Sequence, residues 1–200
     1  NAADYRPFRQ AADDDLPDIV VIHLESIGAI EMQPLGDLYV DTTPHFAELA
    51  EQGVLFDNFY ANMLPTDHAM SAYYLSAVPL PLPAIRHQPI VGGPSLTTML
   101  AAAGYHIAKI HGGATNIQGK QQFFAAHHVD EVIDKVVRQR EGSAKPYWTS
   151  NFVPYSDAQV YDRGIAWIQD HRRRHPEMPF ALFAISGTHH GPFPSPPEPF

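Results

Sequence analysis

Three apolar segments of the chain are each followed at once by polar residues that could carry out chemistry. Glu25 follows the first segment, His111 follows the second, and the adjacent pair His189 and His190 follows the third. The segments are predicted as buried strands over residues 18–24, 105–110 and 180–186. In an open α/β sheet, ligands bind outside the carboxyl ends of the strands. A carboxylate and several histidines at that edge predict a metal-assisted or phosphate-handling active site.

Glu25 and Thr66 are the two residues most able to take part in a reaction. A carboxylate directly after an aliphatic run is costly to bury unless it is paired or bound to metal. The alternatives for Glu25 are a surface carboxylate or a neighbour of a helix N-cap. Thr66 follows a proline, at the predicted start of a helix, where backbone N–H groups and the helix dipole favour an anion. Thr66 is therefore a candidate nucleophile or phosphate contact, with an ordinary N-cap threonine as the alternative.

The histidines and the run Arg172–Arg174 could have structural roles instead of functional ones. His111 precedes two glycines that let the backbone approach a ligand closely, but a lone loop histidine is more often structural. His190 could bind metal, donate to an oxyanion or cap the strand. We predict His127 and His128 at the surface, and Arg172–Arg174 at the solvated end of a helix, where cations offset the helix dipole.

The composition bounds the fold and the possible ligands. The 200 residues and the hydrophobic content of 44% suit one domain or a large part of one. A net charge of −9 without a basic stripe argues against a nucleic-acid partner. The absence of cysteine excludes disulfides and thiolate metal sites. The apolar runs are shorter than the roughly 18 residues that a membrane-spanning helix needs.

Strands and helices alternate along the predicted chain. The strand segments are continuously apolar, which is typical of a mostly parallel sheet with helices on both faces, so we predict an α/β fold. Further strands are predicted over 54–60 and 131–137, and helices over 44–52, 66–78, 96–103, 119–127 and 157–174. Residues 1–17 are polar and acidic and are predicted as a linker or cloning remnant. The proline-rich stretch 192–200 has the pattern of a chain cut in a loop, so the expectation is a piece of a longer protein.

Taken in order, the segments resemble the alkaline phosphatase/sulfatase superfamily, and within it the branch of lipoteichoic acid synthases and phosphoglycerol transferases. The resemblance depends on the order and spacing of its parts rather than on one motif. The matching stretches are residues 20–26, 43–60, Thr66 with its following helix, Gly104-Tyr105, His111-Gly112, 155–157 and 190–193. The resemblance implies an alkaline-phosphatase-like fold, truncated at the C-terminus, in which residues 18–200 form the N-terminal part of a catalytic domain.

The resemblance also implies a role for each candidate residue. Glu25 matches the first metal-binding carboxylate, and Thr66 matches a threonine that is both nucleophile and metal ligand. His111 and His190 match histidines that hold the substrate. Lys120 also falls at a substrate-binding position, where this branch usually has an arginine. The change from arginine to lysine removes the bidentate fork for phosphate.

The implied cofactor is a divalent metal ion: Mn²⁺, Mg²⁺ or Zn²⁺. Its remaining ligands are expected in an Asp-His pair beyond residue 200. The implied substrate is a phospholipid headgroup or a phosphorylated or sulfated glycan, with the headgroup pocket altered because Gln118 replaces the usual tryptophan. The implied location is the extracytoplasmic face of a membrane, to which the parent protein would be tethered by helices of its own.

Three functions remain open from the sequence. The first is a metal-dependent phosphotransferase or hydrolase with Thr66 as nucleophile, for which the 200-residue chain alone is expected to be inactive. The second is a catalytically incomplete or pseudoenzyme module that binds a ligand. The third is a sulfuric ester hydrolase, although true sulfatases use a cysteine or serine in a Cys/Ser-x-Pro-x-Arg context, which residues 64–70 lack.

Overall fold

The computed structural model describes residues 16–36, 42–77, 93–116, 119–142 and 155–191. The strands are β1 (Ile19–His23), β2 (His106–His111), β3 (Glu131–Ile133) and β4 (Phe180–Ile185). The helices are α1 (Pro44–Gln52), α2 (Thr66–Leu75), α3 (Leu96–Ala102), α4 (Lys120–Ala126), α5 (Lys135–Glu141) and α6 (Asp157–Arg174). A short 3₁₀ turn covers Ala29–Glu31.

The described strands form one parallel sheet of four strands in the order β1-β4-β2-β3. Backbone pairing aligns His23 of β1 with Ile185 of β4, and Ile185 with His111 of β2. Because parallel strands all end at the same edge, the polar residues after β1, β2 and β4 reach one rim of the sheet. The predicted α/β class with a parallel sheet is confirmed.

Helices cover both faces of the sheet and enclose two separate cores. One core contains Trp167 of α6 and Leu182 of β4, and the other contains Tyr74 of α2 and Phe183 of β4. Since Leu182 and Phe183 are adjacent, β4 buries side chains on both faces, which explains its continuously apolar sequence. Gly164 of α6 faces β4 at the distance of an ordinary contact, since an added Cβ would lie 3.4 Å from the Leu182 side chain.

The strand predicted over 54–60 is absent from the described structure. Phe56 and Phe59 in this stretch are 70% and 80% exposed, and the backbone has neither strand nor helix. The loose alternation of apolar residues there belongs to a loop, because alternation alone does not supply a partner strand.

Two further elements have different limits from those predicted. The strand predicted over 131–137 ends at Ile133, because Asp134 caps α5 by accepting the N–H of Val137 at 3.0 Å. The helix predicted over 66–78 ends at Leu75, where Ser76 adopts a left-handed φ of 50°.

Some predictions fall on residues 1–15, 117–118 and 192–200, which lie outside the described part of the chain. They include most of the linker, Gln118 and the end of the chain. Among the helices in the described ranges, none has both the length and the apolar character needed to cross a membrane.

Candidate active site at the carboxyl edge of the sheet

The hydroxyl of Thr66 lies against the carboxylate of Glu25 at the carboxyl edge of the sheet. Its Oγ1 donates a hydrogen bond shared by the two carboxylate oxygens, with Oε2 at 3.0 Å and Oε1 at 3.1 Å. Glu25 comes two residues after β1, and Thr66 opens α2, 41 residues further along the chain. The fold therefore brings together the residues that the sequence analysis named as metal ligand and nucleophile.

The backbone of Glu25 is held by a residue that is distant in sequence. The N–H of Glu25 donates to Oγ of Ser186 at 2.7 Å, across a separation of 161 residues. The N–H of Ser186 donates to the carbonyl of His23 at 2.9 Å. Ser186 is 3% exposed. The sequence alone does not predict this role, because the contact exists only when β1 and β4 are neighbours.

A buried acidic residue and a buried lysine accompany this pair. Asp67 follows Thr66 in the first turn of α2, and neither of its carboxylate oxygens makes a hydrogen bond within the described structure. Nδ1 of His68 is 3.3 Å from Oδ1 of Asp67 but outside hydrogen-bond geometry. Burial lowers the pKa of Lys120, while the charges of Asp67 and Glu25 act in the opposite direction. Lys120 therefore places a cation within electrostatic reach of the pair.

His111 ends β2 at the same rim, with a buried imidazole whose protonation can be derived from its contacts. Its Nδ1 accepts the N–H of Gly113 at 2.8 Å, so the neutral ring carries its proton on Nε2. Burial, followed by the positive charges of Lys120 and Lys109, lowers the pKa of His111 to about 3. Near pH 7 the imidazole is therefore uncharged, and its Nε2–H can donate to an anionic oxygen.

The glycine turn after His111 is held by a buried carboxylate. Oδ2 of Asp134 accepts from the N–H and the hydroxyl of Thr115, at 2.8 and 2.7 Å. The N–H of Lys135 donates to the carbonyl of Gly113 at 2.9 Å. These bonds connect the end of β2 to the start of α5 and fix the backbone that holds His111.

His190 lies in the turn after β4, which α6 holds in place. Oδ1 of Asp157 accepts the N–H groups of Gly187 and Thr188, at 2.6 and 3.0 Å. The N–H of Asp157 donates to the hydroxyl of Thr188 at 3.0 Å. The charge of His190 is among those that lower the pKa of His111, so the two histidines interact across the rim.

The remaining candidates lie away from this rim. His127 is 1% exposed and packs against Phe123 in a tilted arrangement, with ring centroids 4.4 Å apart, so its prediction as a surface residue is wrong. Phe123 belongs to the core that contains Tyr74. The sequence around His127 does not show this contact. Arg172 pairs with Asp18, and Arg173 pairs with Asp170, at the end of α6.

Two oxygen donors among the described residues are of the kind that a divalent ion takes. Carboxylate and hydroxyl oxygens are hard donors that suit Mg²⁺ or Mn²⁺, and those of Glu25 and Thr66 converge. Within the ranges that the structure covers, no group of three or more His, Cys, Asp or Glu side chains is arranged to hold a metal ion. Glu25 and Thr66 alone could supply two of the four to six or more ligands that such an ion takes, and the rest would have to come from other residues.

A family model described as Sulfatase matches residues 17–199. The chain belongs to the sulfatase family. The matched range contains the residues from Glu25 to His190 that form the rim described above. This match, together with the solved structures below, confirms the superfamily that the order of the sequence segments suggested.

Three crystal structures share the fold of this sulfatase-family chain. A protein in the alkaline phosphatase superfamily from Vibrio parahaemolyticus matches with a TM-score of 0.78 and 22% identity, over 92% of this chain and 43% of that chain. The lipoteichoic acid synthase LtaP from Listeria monocytogenes matches with 0.72 and 17%, over 90% and 42%. The phosphonate monoester hydrolase of Agrobacterium radiobacter matches with 0.54 and 17%, over 91% and 43%. The chain thus spans less than half the length of each.

Proposed function

We propose that the chain is part of a metal-dependent phosphotransferase or phosphoester hydrolase that uses Thr66 as its nucleophile. The hydrogen bond from Thr66 to Glu25 is the observation that carries this proposal. It gives the hydroxyl a proton acceptor, and the helix N-terminus beneath it favours a phosphoryl anion. We assign residues 18–200 to the N-terminal part of the catalytic domain and the activity to the whole protein.

The proposed reaction passes through a phosphothreonine. Oγ1 of Thr66 attacks phosphorus and forms a new P–O bond while the ester P–O bond to the leaving alcohol breaks. The Thr66 proton passes to the Glu25 carboxylate, and the leaving oxygen, which lies opposite Oγ1 in an in-line displacement, takes a proton from solvent. A glycan hydroxyl or a water molecule next attacks the phosphothreonine and forms a P–O bond while the bond from phosphorus to Oγ1 of Thr66 breaks. The attacking oxygen releases its proton to solvent, and Oγ1 takes back the proton held by Glu25.

Three side chains would steady the phosphoryl oxygens during both steps. Lys120 supplies a cation, and the Nε2–H of His111 supplies a neutral donor that needs no change of protonation near pH 7. His190 lies on the same rim and completes the set. Because lysine offers a point charge rather than a planar fork, orientation of the phosphoryl group depends on the two histidines.

A divalent ion, Mn²⁺, Mg²⁺ or Zn²⁺, would be held by Glu25 and Thr66 with ligands from outside the described residues. When bound, such an ion neutralises phosphoryl charge and lowers the pKa of a hydroxyl that it touches. The convergence of a carboxylate and a hydroxyl supports this assignment.

The proposed substrate is a phospholipid headgroup or a phosphorylated or sulfated glycan, handled at the extracytoplasmic face of a membrane by a tethered parent protein. The shared fold with a lipoteichoic acid synthase supports this choice, and the net charge of −9 disfavours a nucleic acid. Two alternatives have specific support. The Sulfatase family match favours a sulfuric ester hydrolase. The second alternative is a ligand-binding module, because the paired Glu25 and Thr66 could contact a ligand without turning it over.

Kinetics of the full-length protein with its bound metal test the proposal. Bis(4-nitrophenyl) phosphate and 4-nitrophenyl sulfate serve as the two probe substrates. Thr66→Ala should abolish diester hydrolysis, Thr66→Ser should retain part of it, and Thr42→Ala, which removes an exposed hydroxyl elsewhere, should change nothing. Retained turnover in Thr66→Ala would contradict the nucleophile. Turnover of the sulfate alone would favour the sulfatase alternative, and ligand binding without turnover of either would favour the binding module.

A further inference from the structure

Two histidines meet at the amino edge of the sheet, opposite to the rim that carries Glu25. His106 opens β2, and His171 lies in the last turn of α6. Their Nδ1 atoms are 3.0 Å apart. His171 is fully buried, stacks on Trp167 and packs against Phe180. Neither histidine takes part in the proposed reaction.

The contacts of His171 fix the positions of the protons in both rings. Its Nε2 is 3.0 Å from the carbonyl oxygen of Met178, and because a carbonyl only accepts, this Nε2 carries a proton. In the neutral ring, Nδ1 of His171 therefore has no proton and accepts. The bond between the two rings then requires His106 to donate from its own Nδ1, which leaves Nε2 of neutral His106 without a proton.

Glu131 of β3 makes this neutral arrangement incomplete. Its Oε1 lies 3.4 Å from Nε2 of His106, so a lone pair of the ring faces a carboxylate. One added proton removes the mismatch, since Nε2–H of His106 can donate to Glu131 while the bond between the rings is kept. Either ring can carry the charge, because a doubly protonated His171 donates to Nδ1 of His106. A second proton would place two N–H groups face to face at 3.0 Å, so the geometry fits one proton.

The groups around the two rings decide when that proton is bound. Burial, the largest effect, lowers the pKa of His106, the acidic groups at β3 raise it, and the neighbouring histidines lower it. The net shift is downward, so the proton is taken up in weak acid rather than at pH 7. The titratable groups that face the two rings are Asp130 and Glu131 at β3 and His175 after α6, with the ion pair of Arg172 and Asp18 at the same edge.

We propose that His106 and His171 form a proton-binding pair, a pH-sensitive contact that takes up a single proton and then joins β3 to α6 through β2. Without the proton, two acceptors face each other at Glu131. With it, hydrogen bonds run from Glu131 through both rings to the carbonyl of Met178. Because charge-assisted hydrogen bonds are stronger than neutral ones, the protonated pair holds the end of α6 more firmly on the sheet. This inference is independent of the proposed function.

Side-chain NMR of the full-length protein, labelled with ¹⁵N in its histidines, tests the proposal. Two-bond ¹H–¹⁵N correlations report which nitrogen of each ring carries a proton. At pH 8 the proton should be on Nε2 of His171 and on Nδ1 of His106. Between pH 8 and 5 both rings should respond at one common midpoint, with a gain of one proton for the two together. His45, whose side chain is 97% exposed, is the reference for a ring that titrates alone.

A variant of the carboxylate tests the proposed proton site without disturbing the core. Glu131→Gln keeps the shape of a partly exposed side chain, and its amide can donate to Nε2 of neutral His106. The neutral pair is then satisfied and a negative charge is lost, so the midpoint should fall by about one pH unit. Glu48→Gln is the matched control, because it removes a carboxylate 3.8 Å from exposed His45, and it should leave the midpoint of the pair unchanged.

Removal of one ring assigns the signals and tests the sharing of the proton. In His171→Gln, the signals of His171 disappear and His106 should titrate alone, at a midpoint different from that of the pair. If this variant of a fully buried residue fails to fold, His106→Gln serves instead, because the His106 side chain is 18% exposed. The titration of His171 should then change.

Several results would overturn the pair. A proton on Nε2 of His106 at pH 8 contradicts the derived arrangement. Separate midpoints for the two rings, a gain of two protons, or rings that stay neutral down to pH 5 exclude a shared proton. An unmoved midpoint in Glu131→Gln excludes the contact with the carboxylate. The proposed function fails separately, through retained turnover in Thr66→Ala.

Discussion

Replacement of Ser186 with alanine tests how the fold positions the proposed metal-binding carboxylate. The Oγ of Ser186 accepts the N–H of Glu25 at 2.7 Å and is almost fully buried. Its loss leaves that N–H without its partner, at a cost of about 1–3 kcal/mol. If the cost falls on the placement of Glu25 in the transition state, kcat/KM decreases about 5- to 150-fold.

The assay combines diester kinetics with urea unfolding of the full-length protein. Ser95→Ala is the matched control, because Ser95 is equally buried at 3% exposure and accepts the N–H of Thr98 at 3.1 Å within the first turn of α3. Both variants should lose about 1–2 kcal/mol of unfolding free energy, but only Ser186→Ala should lose activity. Equal kcat/KM values for the two variants would refute the view that Ser186 positions Glu25.

Three further predictions concern the other residues of the rim. Asp157→Ala should raise KM more than it lowers kcat in diester hydrolysis, because it frees the turn that carries His190; an unchanged KM would contradict that role. Lys120→Met should reduce kcat/KM about 10- to 150-fold, the range for a lost hydrogen bond to a charged group, and wild-type kinetics would exclude Lys120 from the site. The pKa of His111 is about 3 in the folded protein against an ordinary value of 6.5, so the unfolded chain binds its proton first and stability falls as pH drops from 6.5 toward 3. His111→Gln should flatten that decline in urea unfolding between pH 7 and 4, and an equally steep decline would count against the buried neutral imidazole.

The strands that are buried on both faces were the most predictable part of the fold. The run at β4 is apolar at every position, and each position is buried, because helices cover both sides of the sheet. The stretch 54–60 has a similar apolar content, but the residues described there are exposed. Composition records that a segment is apolar, whereas a strand also needs a neighbour to pair with, and local sequence does not carry that information.

The site could be predicted only as far as single segments allow. Glu25 follows an apolar run and Thr66 follows a proline, and both of these signals lie in the local sequence. The role of Ser186 depends on β1 lying beside β4, and the role of Asp157 depends on where α6 begins relative to that strand. The burial of Lys109, which is 1% exposed within β2, could not be predicted either. A lysine within an apolar run does not disclose whether its amine reaches solvent or remains in the core.

Trapping of the phosphothreonine tests the central claim most directly. The full-length protein is mixed with a phosphodiester substrate, quenched in acid during turnover, digested and mapped by mass spectrometry. The account predicts a phosphoryl adduct on the peptide that contains Thr66, localised to that residue and missing from Thr66→Ala. Turnover with the adduct on another residue would contradict it. So would a Thr66→Ala variant of undiminished activity that forms no adduct at any time point.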